Sequence, residues 1–183
     1  MKKVLFIDRD GTLIAEYPPT YQIDSFDKVS FYPQVFKYMT KIAEELDYEL
    51  VLVSNQDGLG TDVFKEETFW PPHNLVMGSF ANEGVVFAKE HIDRSFPEEG
   101  LDTRKPGIGM FTEYLNNPAY DIPNSFVIGD RITDVQTRRE LDAGFTLQAI
   151  DPILSQLGQS KASIYLVGEI VEWYPEVPQK IVA

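Results

Sequence analysis

The sequence contains no cysteine, which excludes disulfides and thiolate-ligated metals. Positive charge is also scarce: 16 Lys and Arg stand against 29 Asp and Glu, a formal net charge of −13. Such a surface repels nucleic acids and anionic lipid headgroups, so neither is expected as a partner. No stretch approaches the ~18 consecutive apolar residues that a membrane span requires. The Met1-Lys2-Lys3 start imitates the basic end of a signal peptide, but Asp8, Arg9 and Asp10 break the apolar run too soon for a signal core. Internal repeats and low-complexity segments are missing as well. What remains is a cytoplasmic globular chain of 183 residues, long enough for one domain with a real core.

The most informative stretch is Val4-Leu5-Phe6-Ile7-Asp8-Arg9-Asp10-Gly11-Thr12. Consecutive apolar residues without a helical period suit a strand buried on both faces of a parallel sheet. Two carboxylates at its carboxyl end require a cation, a donor or water to offset their desolvation. Residues 14–30, with Pro18 and Pro19, read as an irregular loop over that edge. Pro33 is placed in a first helical turn, followed by Val35, Phe36, Met39, Ile42, Ala43 and Leu46 at helical spacing. Residues 49–54 form a second buried strand. A helix is expected over about 73–83, a short strand at 85–87, a polar surface loop over 89–104 and a helix over about 108–115. Residues 125–128 read as a strand, 133–141 as a helix and 145–150 as a strand. This alternation predicts an α/β fold, a three-layer αβα sheet of parallel strands. A tail over about 168–183 has no placement.

Three strand ends therefore carry polar clusters: Asp8/Asp10, Ser54/Asn55 and Asp130/Asp134. Arg104-Lys105-Pro106 adds two cations ahead of a helix. Phosphoryl transfer uses such parts: a carboxylate nucleophile, a second acid for the leaving group, Mg2+ ligands and cations for the phosphate oxygens. Mg2+ takes one or two carboxylates and keeps several waters, which fits Asp8 with Asp130. Taken singly, each residue has a plainer reading. Asp130 suits a cap or turn, Ser54-Asn55 a turn, Lys105 a solvated face and His73 a structural position at a helix start. Glu16 lies in the loop after the first strand, where its carboxylate suits an ammonium-bearing substrate.

The four clusters, in this order, resemble the motifs of haloacid dehalogenase superfamily phosphatases, a fold with minimal or no cap domain here. Finer similarity is to the histidinol-phosphate phosphatases, carried by residues 6–14, Ser54-Asn55-Gln56-Asp57-Gly58-Leu59-Gly60-Thr61 and Pro72-His73-Asn74-Leu75. The resemblance implies Asp8 as the nucleophile that forms an aspartyl-phosphate and Asp10 as proton donor, then base. It implies Mg2+ between the Asp8 side chain, the Asp10 carbonyl and Asp130. Ser54, Asn55 and Lys105 would hold the phosphoryl group with Arg104 assisting, and Asp134 would act through water or by orienting Lys105. The substrate implied is a small phosphorylated metabolite, L-histidinol phosphate first. A heptose 1,7-bisphosphate phosphatase is the nearest alternative. A phospho-aspartate receiver domain is the non-enzyme alternative, though its acceptor would close the strand that here ends at Ser54-Asn55.

Many members of the resembled family carry a zinc loop of three cysteines and a histidine. Here the corresponding positions are Asp93, Ser95, Leu101 and Thr103, and Leu101 has no donor, so no structural zinc is expected. Some relatives are fused to a dehydratase domain that this sequence lacks; the chain is expected to be free-standing or a fragment, and a monomer or weak homodimer.

Overall fold

The computed structural model describes residues 1–141 together with 165–166 and 169–170. Strand β1 (Lys3–Ile7) pairs in parallel with β2 (Tyr48–Asn55) on one side and with β4 (Phe126–Ile128) on the other. Strand β3 (Lys89–Asp93) extends the sheet beyond β2, giving the all-parallel order β3-β2-β1-β4. Short strands β5 (Tyr165–Leu166) and β6 (Glu169–Ile170) form a separate antiparallel pair. Among the described residues, no helix is long and apolar enough to cross a membrane.

Alternation along the strands splits the core in two. Leu5, Ile7, Leu50, Leu52 and Ile128 face helix α1 (Val35–Glu45) and the second half of helix α2 (Glu66–Asn82) through Met39, Ile42, Val76 and Phe80. Val4, Phe6, Val51, Val53 and Val127 face Met110, Phe111, Tyr114 and Leu141. Because side chains of a strand alternate between faces, a strand buried on both sides must be apolar at every buried position, as β1 is from Val4 to Ile7. The parallel α/β expectation holds.

Four local readings need correction. Pro33 lies in the turn before α1, which starts at Val35. Helix α2 begins seven residues before His73 and runs through Pro71 and Pro72. The strand expected at 85–87 instead forms at Lys89–Asp93, inside the stretch read as a loop; it is a sheet edge and exposes Lys89 and Glu90. The helix expected over 108–115 is only a 3-10 turn at Gly109–Phe111 with further turns. A β-carbon on Gly107 would lie 2.2 Å from the Asp102 carbonyl oxygen, so this segment packs too closely on its neighbour for a regular helix with ordinary side chains. Helix α3 (Ile132–Glu140) follows β4 as expected. The strand expected at 145–150, and the tail apart from residues 169–170, lie outside the described residues.

The chain moves outward from β1 to β2 and β3, then returns to the other side of β1 as β4. That reversal opens a crevice at the carboxyl ends of β1 and β4, the place where open α/β sheets bind ligands.

Candidate active site

The crevice is a cavity of about 170 Å³ lined by Asp8, Asp10, Glu16, Ser54, Asn55, Arg104 and Lys105, with Gln56, Asp57 and Arg131. Asp8 follows β1 directly. Its backbone N–H bonds the Ile128 carbonyl at 2.9 Å, so β4 fixes the start of the turn. One carboxylate oxygen accepts the Arg9 N–H at 2.7 Å, and the other meets Lys105 Nζ at 2.8 Å.

Lys105 is fully buried, and its ammonium protons are directed at Asp8, at Asp134 2.6 Å away and at the Val53 carbonyl 2.9 Å away. Burial alone would lower its pKa, but the Asp134 and Asp8 carboxylates outweigh burial and push it up to about 12. The site therefore holds a permanent cation beside Asp8. Asn55 supports it through a reciprocal clamp: its Nδ2 donates to the Lys105 carbonyl and its Oδ1 accepts the Lys105 N–H, both at 3.0 Å.

Asp10 occupies a different environment. Arg9, which has no exposed surface, donates from Nε to Asp10 Oδ1 at 2.8 Å and from Nη2 to Oδ2 at 2.9 Å. Gln56 Nε2 donates to the same Oδ2 at 2.7 Å and to Ser54 Oγ at 2.8 Å. The Ser54 hydroxyl and Asp10 are thereby linked through one amide.

Asp130 lies in the loop between β4 and α3, and its carboxyl reaches the β1 turn only because Gly11 has no side chain. A β-carbon there would lie 2.3 Å from the Asp130 carboxyl carbon. Asp130 Oδ1 is buried without a hydrogen-bond partner among the described residues. Burial first, then Asp8 and Glu16, push its pKa up to about 7, against the opposing pull of Arg131. Burial likewise pushes Asp8 up to about 6, with Asp134 and Asp10 adding to it and Lys105 opposing.

Carboxylate oxygens of Asp8, Asp130 and Asp134 lie within 4.8 Å of one another. Asp134 is already spent, one oxygen on Lys105 and the other accepting the Arg131 N–H at 3.1 Å. Arg9 and Lys105 offset only part of the charge of Asp8, Asp10, Asp130 and Asp134. A hard divalent cation fits this oxygen set and the orphaned Asp130 oxygen.

Glu16 and Arg104 both line the cavity, and each is engaged by an ion pair. Both Glu16 oxygens accept from Arg131 Nη2, at 2.6 and 2.8 Å. Arg104 forks onto Asp57 at 2.6 and 3.2 Å and bonds the Ser95 carbonyl at 3.0 Å. Arg9, Gln56 and Arg131 were not singled out from the sequence. Arg9 had a signal, since an arginine between two buried acids is placed to neutralise one of them. Arg131 had none.

Three of the positions that correspond to the zinc ligands of relatives, Asp93, Ser95 and Thr103, are joined by hydrogen bonds. Asp93 Oδ1 accepts from the Ser95 N–H at 3.0 Å and the Ser95 hydroxyl at 2.5 Å, and Asp93 Oδ2 accepts from the Thr103 hydroxyl at 2.5 Å.

Residues 3–147 match the family model described as polynucleotide kinase 3 phosphatase. The chain belongs to the polynucleotide kinase 3 phosphatase family. Membership agrees with the haloacid dehalogenase-type resemblance of the four motifs. Among curated relatives, the histidine biosynthesis bifunctional protein HisB of Spirosoma linguale is 58% identical over 143 residues, which is 78% of this chain and 37% of that protein. HisB of Bacteroides fragilis is 56% identical over 140 residues, 76% of this chain and 37% of its own length. The chain thus spans well under half the length of these relatives. A D,D-heptose 1,7-bisphosphate phosphatase from B. bronchiseptica, complexed with magnesium and phosphate, shares the fold at a TM-score of 0.66 and 24% identity, over 77% of this chain and 76% of its own. A HAD-like phosphatase from Mesorhizobium loti does so at a TM-score of 0.65 and 23% identity, over 76% of this chain and 68% of its own.

Proposed function

We propose that this family member is a Mg2+-dependent phosphomonoesterase acting through an aspartyl-phosphate on Asp8, with L-histidinol phosphate as substrate. The observation that carries the reading is the division of labour between the two acids. Asp8 stands between a buried cation, Lys105, and Asp130, whose Oδ1 has no hydrogen-bond partner among the described residues, while Asp10 is held apart in the Arg9 fork.

Asp8 and Asp130 side chains would hold Mg2+, with Asp134 keeping Lys105 in place. Bound there, the ion would neutralise phosphate oxygens and lower the cost of bringing an anionic ester to an anionic nucleophile. Asp8 attacks phosphorus through its free carboxylate electron pair as the ester P–O bond breaks. Asp10 gives a proton to the departing alkoxide, then removes one from the water that cleaves the aspartyl-phosphate. Lys105, its three protons already engaged, supplies positive charge beside the transferring group, Ser54 offers a hydroxyl toward it, and Asn55 acts by fixing Lys105. Glu16 would contact the ammonium of the substrate once Arg131 releases it.

The substrate assignment rests on similarity to the HisB proteins over most of the described chain. The strongly acidic composition disfavours a polynucleotide ligand. One panel decides: initial rates with L-histidinol phosphate, D-glycero-D-manno-heptose 1,7-bisphosphate and a 3′-phosphorylated oligonucleotide, each with Mg2+ and with EDTA. Highest kcat/KM for histidinol phosphate, abolished by EDTA, is expected. A preference of about tenfold or more for another ester, equivalent to about 1.4 kcal/mol of transition-state binding, overturns the substrate.

A further inference from the structure

Behind Asp10, away from the cleft, lies a hydrogen-bonded chain that does not line the cavity. Arg9 uses Nε and Nη2 on Asp10 and turns Nη1 to His73 Nδ1 at 3.0 Å. His73 Nε2 in turn meets Glu90 Oε2 at 2.8 Å. A guanidinium only donates, so His73 Nδ1 must accept, and the ring proton of neutral His73 sits on Nε2 and is given to Glu90. The tautomer is thus set by its two neighbours. A doubly protonated ring would turn an N–H against the arginine.

The inner two links of the chain are fixed by burial, while the Glu90 side chain at its far end is 37% exposed. Arg9 has no exposed surface and the His73 side chain is 1% exposed. Phe69, one helical turn before His73 on α2, stacks on the imidazole at 5.0 Å and 23° and also lies 4.7 Å beneath the Arg9 guanidinium. Glu90 comes from the edge strand β3, so the turn after β1, helix α2 and strand β3 converge on one carboxylate.

We infer that His73 and Glu90 are positioning residues for Asp10: they lock the Arg9 fork and so aim the Asp10 carboxyl at the leaving-group oxygen. This rests on the reading of Asp10 as proton donor. An arginine with an unpaired, buried Nη1 would rotate toward another acceptor, and rotation would carry Asp10 with it.

Leaving-group dependence separates aim from mere folding. Phenyl phosphate needs a proton on its departing oxygen, and 4-nitrophenyl phosphate scarcely does. His73→Leu, which keeps bulk and loses the acceptor, should lower kcat on phenyl phosphate about tenfold or more, a fraction of the full general-acid effect, with little change on 4-nitrophenyl phosphate. His73→Asn, which offers Arg9 an oxygen near the place of Nδ1, should recover most of that loss. Glu90→Ala should show the same pattern more weakly, and it carries the test if thermal melting shows the leucine variant to be unfolded. Asp10→Asn is measured alongside. Equal loss on both esters, or no loss, in folded His73 and Glu90 variants overturns the inference while Asp10→Asn remains leaving-group-dependent. Should Asp10→Asn itself show no such dependence, the proton-donor reading of Asp10 falls instead.

Discussion

Lys105 Nζ lies 2.6 Å from Asp134 Oδ1, and the two side chains are 1% and 0% exposed. A buried pair of this kind is worth little against an apolar pair of the same shape, but removing one member strands the other charge in a dry interior. Lys105→Met should therefore destabilise the protein by about 3–5 kcal/mol. The Lys105→Met, Asp134→Leu double variant should lose less than the sum of the single losses. Urea midpoints for the wild type and three variants close this cycle, and additive losses would show that the two groups do not interact.

The raised carboxyls make metal binding a competition with protons. Burial holds Asp8 at about 6 and Asp130 at about 7 in the folded, metal-free protein. An acid that binds its proton more tightly when folded gives the native state the extra proton between the ordinary carboxylate value and its raised one. Stability of the metal-free protein should then fall as pH rises through that window. Mg2+ displaces these protons, so the Tm increase on adding it should grow from about pH 5.5 to about pH 8. A Mg2+ shift that is the same at both values would remove Asp8 and Asp130 from the metal site.

Gly11 has φ +78°, and a β-carbon on it would lie 2.3 Å from the Asp130 carboxyl carbon. Alanine there must move either the β1 turn or Asp130. A displacement of about 1 Å in such a site can cost about a hundredfold in rate. Gly11→Ala should lower kcat by about that factor and weaken Mg2+ binding, with destabilisation of about 1–2 kcal/mol from the left-handed backbone. Calorimetric Mg2+ titration checks the second effect, and unchanged affinity would mean that Asp130 is not displaced.

Asp93 is 5% exposed and gathers Ser95 and Thr103 on its carboxylate. Asp93→Ala leaves the Thr103 hydroxyl without this acceptor and the segment from β3 to Lys105 without its tie. The expected loss is about 1–3 kcal/mol in a urea titration, the cost of unpaired buried polar groups. Unchanged stability would mean that the loop is held by packing alone.

What could be read from the residues and what could not follow from range. β1 was legible because burial on both faces leaves no polar position from Val4 to Ile7. Asp8, Asp10 and Asp130 were legible because strand ends on a parallel sheet share one edge. β3 was not, since an edge strand with exposed Lys89 and Glu90 has the composition of a loop. The front of α2 was hidden by Pro71 and Pro72, whose missing N–H groups and ring bulk normally end a helix. The Glu16–Arg131 and Arg104–Asp57 pairs join segments 115 and 47 residues apart. No local pattern announces such partners; only the fold selects them.

Asp8→Asn separates catalysis from stability. The amide keeps the shape of the carboxyl and removes the electron-rich oxygen that would bond to phosphorus, so turnover should fall by several orders of magnitude. It also removes a charge that burial, Asp134 and Asp10 all disfavour, with Lys105 alone among the named groups opposing them. Lys105 keeps Asp134 and the Val53 carbonyl as partners. The metal-free variant should therefore melt higher than wild type at about pH 8, by about 2–4 °C for each kcal/mol of relief. The gain should shrink as pH falls through the window between the raised Asp8 value of about 6 and the ordinary carboxylate value of 3.8, and vanish below it. An inactive variant with this pH-dependent gain would mark Asp8 as a group held in an unfavourable place for its chemistry. Residual turnover above about 1% would exclude it as the nucleophile.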